Sequence, residues 1–138
     1  MTDLTLKDFM PKPETGNVIL LLNEIRHALR HLAETGEPTT IDLSGIPMTK
    51  AETEEFEAAL GTGEVHAEID AGGPSEVIET SFAGVWRVIH RASEEMTLAR
   101  YIEVTRIPEI LVAHPSDMRA ALTRLEARLE LSSEEEAL

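Results

Sequence analysis

Residues 64–105, EVHAEIDAGGPSEVIETSFAGVWRVIHRASEEMTLARYIEVT, decide the fold. At their start Val65, Ala67, Ile69 and Ala71 alternate with His66, Glu68 and Asp70. A period of two predicts a strand with one buried and one wet side. Gly72, Gly73 and Pro74 break it. Residues 75–80, 85–91 and 98–105 then read as three further strands, with 92–95 as the hairpin loop between the last two. Connections this short favour antiparallel pairing.

Outward from that stretch the period becomes helical. Over residues 17–35 Val18, Leu21, Leu22, Ile25, Leu29 and Leu32 share one helix face, Gly36 offers a left-handed cap and Pro38 forbids continuation. Residues 39–43 (TTIDL) alternate like a short strand. Thr49 with Glu52 forms a capping-box pattern that opens a second helix to Leu60, burying Phe56 and Leu60. Pro115 and Ser116 open a third, with Met118, Leu122, Leu125 and Leu129 on one stripe. The order is α-β-α-β-β-β-β-α. The expected fold is α+β: an antiparallel sheet of four to five strands with two to three helices packed on one face. Residues 1–16 are expected to form an N-terminal arm, 17–131 a single α+β domain and 132–138 an acidic tail.

The 138 residues carry 12 Lys and Arg against 26 Asp and Glu, a formal net charge of −14. So acidic a chain is unsuited to nucleic acid, whose phosphates need clustered bases, and to anionic membranes. No apolar run approaches the roughly 18–20 residues of a spanning helix. With no Cys, disulfides, thiolate metal sites and a Cys nucleophile drop out together. The acidic start of the chain points to a cytoplasmic protein. The charge is local: residues 50–80 hold Lys50 against nine acids, and the last ten residues add four acids and no base.

Enzymatic chemistry finds no credible constellation. Glu24, His27 and His31 fall on the polar side of the first helix at a spacing that could meet a divalent ion, and His66, Glu68 and Asp70 share one strand face. Both patterns are also what a solvated face produces. No nucleophile elbow, phosphate loop or dinucleotide fingerprint is present. Leu20 sits on an otherwise polar helix face. Trp86, the sole Trp, lies in a strand beside Val88 and His90 on one side of the sheet. If the helices do not cover that side, it could receive a partner or a second copy.

Residues 64–88, EVHAEIDAGGPSEVIETSFAGVWRV, resemble the characteristic segment of the HupH/HyaF hydrogenase expression/formation family. NVILLLNEIRHALRHLAETGEPTTIDLSGIPMT upstream and YIEVTRIPEILVAHPSDM downstream support the likeness. Its most specific part combines Gly73, Pro74, Ser75, Glu76, Val77, Glu79, Thr80, Phe82, Gly84, Val85 and Trp86. The resemblance implies a HupH-like domain and a non-catalytic accessory or chaperone role in [NiFe]-hydrogenase maturation, without cofactor. It further implies the hydrogenase small-subunit precursor as partner, whose twin-arginine signal is a basic segment. Family members are generally longer, and the resemblance implies that this chain corresponds to their conserved domain alone. Gly73, Pro74, Ser75, Glu76, Glu79 and Trp86 are then the candidate contact residues: Gly73 and Pro74 shape a turn, the two Glu meet an Arg or amide, and Trp86 anchors if exposed. The alternatives are a homodimeric interaction module and a nickel-handling protein using His27, His31 or His66.

Overall fold

The computed structural model describes residues 14–70 and 72–137; most of the expected N-terminal arm lies outside them. Two compact units divide at residue 106. The first holds α1 (Asn17–Thr35), β1 (Thr39–Asp42), α2 (Lys50–Leu60), β2 (His66–Asp70), β3 (Pro74–Glu79), β4 (Val85–Arg91) and β5 (Thr97–Val104). The second holds a 3-10 turn (Glu109–Leu111), which the sequence reading passed over, and α3 (Pro115–Ala137). The α+β class and the element order are as expected.

The sheet is antiparallel throughout, in the order β1-β5-β4-β3-β2. Sequential hairpins build β2 through β5. The first strand joins at the far edge, pairing Thr39 with Val104 and Ile41 with Ile102. Directly opposed residues share a face, so Thr39, Ile41, Arg100, Ile102, Val104, Val85, Arg87, Ile89, Glu76 and Ile78 lie on one side. There Ile41, Val85, Ile102 and Val104 form a core with Leu21, Ile25 and Leu32 of α1 and Phe56 and Leu60 of α2. Glu57 of α2 reaches down to Arg87 at 3.1 Å and Arg100 at 2.9 Å, tying the helix to two strands. Within this unit, two helices cover one face.

The left-handed Gly36 ends α1, donating its N–H to the Leu32 carbonyl at 2.8 Å. At the start of α2 the capping box forms as read: Glu52 N–H donates to Thr49 Oγ1 and Thr49 N–H to Glu52 Oε1, both at 3.1 Å. The other Glu52 oxygen accepts from the Thr15 hydroxyl at 2.7 Å, fastening the residues before α1 to α2. These bonds, the Thr49 amide first and the Thr15 hydroxyl next, hold the Glu52 carboxyl below its ordinary value of 4.5. A carboxyl depressed by folding contributes its stability above the unfolded value and loses it as pH falls through the folded one. Thr49→Ala is therefore expected to cost about 1 kcal/mol in denaturant melts. Glu52→Gln should lower the urea midpoint at pH 7, with the gap to the parent narrowing as pH falls below the ordinary value of 4.5.

In α3 the expected stripe exists but is exposed: Met118, Leu122, Leu125 and Leu129 are 53–62% accessible. The helix continues through Glu134, Glu135 and Glu136, so the acidic run is helical.

Candidate functional site

The candidate motif begins where the chain turns from β2 into β3. Gly73 has φ +136°, and a Cβ there would stand 2.6 Å from the Arg91 carbonyl oxygen. Only glycine tolerates both the dihedral and that approach. Pro74 opens β3 at its register partner Asp70. The remaining residues alternate across the strand, so the sheet separates them. Glu76 is on the helix side; Ser75, Glu79 and Trp86 are on the other. The six candidates do not form one patch.

Their polar groups are largely committed within the chain. Glu76 takes Arg91 at 2.8 Å on one oxygen and His66 at 3.2 Å on the other. Glu79 Oε1 accepts the Glu64 N–H at 2.9 Å. Buried Ser75 pairs with His90 Nδ1 at 2.8 Å, and the His90 ring stands edge-on to Tyr101. That Ser–His pair was invisible in sequence because it arises from the cross-strand register. Trp86 is 6% exposed and donates its indole N–H to the Thr105 carbonyl at 3.1 Å. It lies on the face opposite α1 and α2, yet Val77 and Val88 beside it are also buried. The open apolar sheet face imagined for a partner or a second copy is therefore absent around Trp86.

The nine acids of residues 50–80 divide into two groups by what they touch. Glu52 caps α2, Glu57 holds two arginines, Glu76 holds Arg91 and His66, and Glu79 binds a backbone amide. Glu54, Glu55, Glu64, Glu68 and Asp70 are exposed. Two of these stand on the edge strand β2, where charge also discourages strand addition. Glu68 joins Pro74, Ser75, Glu76, Arg91 and Glu94 around a polar hollow of about 320 Å³. This hollow is the part of the motif that combines access with negative charge.

Histidine geometry differs from the spacing argument. His31 turns to Glu37 at 2.9 Å, not to Glu24 or His27, and His66 turns to Glu76. Among the described residues no group of three His, Asp or Glu side chains is placed to hold a metal ion. No helix among them is long and apolar enough to cross a membrane.

The turn from β3 to β4 gives a surface role to Phe82, which the sequence placed in the family motif but not among the contact residues. Buried Thr80 donates its hydroxyl to the Val85 carbonyl at 2.8 Å and receives the Phe82 N–H, which presents Phe82 outward. Phe82 is 49% exposed and lines an apolar groove of about 350 Å³ with Leu22, Ile25, Leu29, Ala59 and Leu60, Arg26 standing at its rim. An aromatic inside a turn, off the strand alternation, was the available signal.

A family model described as the HupH hydrogenase expression protein, C-terminal conserved region, matches residues 15–132. The chain belongs to this family. It is 28% identical over 91 residues to the hydrogenase expression/formation protein HoxQ of Cupriavidus necator, covering 65% of this chain and 32% of that one. This chain thus spans about a third of the curated relative's length. The solved structure of the hydrogenase expression protein HupH from Thiobacillus denitrificans is 41% identical. It superimposes with a TM-score of 0.80, covering 86% of this chain and 98% of that one. The family resemblance carried by residues 64–88 is thereby shown.

Proposed function

We propose that this HupH-family domain is a non-catalytic accessory factor of [NiFe]-hydrogenase maturation that holds the small-subunit precursor before assembly. The family match across residues 15–132 carries the reading. Two physical features support it. Exposed Glu64, Glu68 and Asp70 give a negative field suited to a basic segment, which speeds encounter more than it tightens the final complex. The groove at Phe82 offers an apolar surface for the hydrophobic stretch that follows the basic residues of an export signal.

Of the motif candidates, Glu76 acts in this reading as the inner wall of the acidic hollow, Gly73 and Pro74 shape its rim, and Trp86 keeps the strand behind it in place. The test is co-purification with the small-subunit precursor, with and without its signal, across a salt series. Retention of the precursor should weaken with salt, fall on removal of the signal, and fall on replacing Phe82 by Ser. Undiminished capture of a signal-less partner in high salt would remove the electrostatic contact, and no capture at all would remove the partner.

A further inference from the structure

α3 carries five exposed large apolar side chains that nothing in its own unit covers, Leu131 and four that share a stripe. Met118, Leu122, Leu125 and Leu129 are spaced 4-3-4, so they fall within a narrow stripe, the seam pattern of a two-stranded coiled coil. The charge along the helix is polarised. Residues 115–125 hold two Arg against one Asp, whereas 126–137 hold five Glu against one Arg. A run of Glu at a helix C-terminus is unfavourable by itself, because the last carbonyls are already negative.

We infer that α3 pairs antiparallel with α3 of a second copy of this chain. Layering Met118 on the partner's Leu129, and Leu122 on the partner's Leu125, satisfies the whole seam about a two-fold axis. The same register places Arg119 against the partner's Glu126 and, by symmetry, Glu126 against the partner's Arg119, both flanking the seam on one side. It also brings the Glu134–Glu136 run beside the partner's helix N-terminus, whose free amides favour negative charge. A parallel pair gains none of this: like ends meet, and the two acidic halves repel. The seam from residue 118 to 129 is only about 16 Å long, and four side chains per copy bury less than the roughly 1,200 Å² of a standard interface. The dimer is accordingly weak and reversible, of micromolar order. This inference is independent of the partner proposed above, because α3 contributes to neither the acidic hollow nor the Phe82 groove.

Sedimentation of the full chain from about 1 µM to about 1 mM tests it. The mass is expected to rise toward twice the chain mass across that range. Arg119→Glu and Glu126→Arg should each move the midpoint at least tenfold upward, with helix content unchanged by circular dichroism. The two together, which swap the charges and restore the pairing, should return the midpoint to the parent value. A chain that stays monomeric throughout overturns the inference. So does a double variant no better than the singles, since another occupant of the stripe would not recognise the swap. A third overturning result is a monomer whose Tm drops on Leu125→Glu, which would show the stripe covered from within the chain.

Discussion

Trp86→Ala is expected to cost about 3–5 kcal/mol, a fall in Tm on the order of 10–20 °C for a chain of this size. The indole is 6% exposed and shares its face with fully buried Val77 and Val88, so truncation opens a cavity that close-packed neighbours cannot refill. It also removes the indole N–H that now donates to the Thr105 carbonyl. Trp86→Phe separates the two contributions: most of the area returns, and the residual loss should be about 1 kcal/mol, the cost of one unmet hydrogen bond. Thermal melts of the three proteins check this. If Trp86 instead touched a partner, Trp86→Ala would leave the melt unchanged and abolish capture. At temperatures where the variant is folded, the structure predicts the opposite pattern.

The second large effect belongs to Gly73→Ala. An added Cβ would sit 2.6 Å from the Arg91 carbonyl oxygen, and backbone cannot yield as a side-chain tip would. The alanine would also be held at φ +136°, a region closed to it by its own Cβ. Together these should cost at least about 3 kcal/mol, or force the β2–β3 turn to slip. A slip by one residue exchanges the two faces of β3, exposing Val77 and burying Glu76. Hydrogen exchange at the β3 amides would report it: protection should fall across residues 74–79 while that of α1 is retained. Equal loss of protection in α1 would mean that the whole unit depends on the turn.

These two residues show how differently the motif was legible. Gly73 could be assigned to a turn from GGP alone, because a left-handed or otherwise forbidden dihedral leaves its mark as glycine. Trp86 could not be placed, because alternation says which residues share a face and nothing about what lies over that face. The same limit applies to Glu76. Its helix-side position follows from the period, but its partners Arg91 and His66 stand on the flanking strands β4 and β2, and only the register of the two hairpins brings them to it. α3 is the converse case: its stripe is plain in the sequence, yet periodicity alone suggested a helix packed on the sheet, and the side chains are exposed.

Local chemistry written in consecutive residues determined the helix at 17–35, the Thr49–Glu52 capping box, the alternating strands and the −14 charge. Dihedral preference, hydrogen-bond reach and period act over only a few residues, so a chain reads them out directly. Tertiary structure alone decided three things: that β1 closes the sheet beside β5, that Trp86 is covered, and that Glu57, Glu76 and Glu79 are spent inside the chain. Each depends on groups distant in sequence meeting in space. The local acidity read from the sequence is thereby divided into carboxylates that hold the fold together and carboxylates left to face a partner.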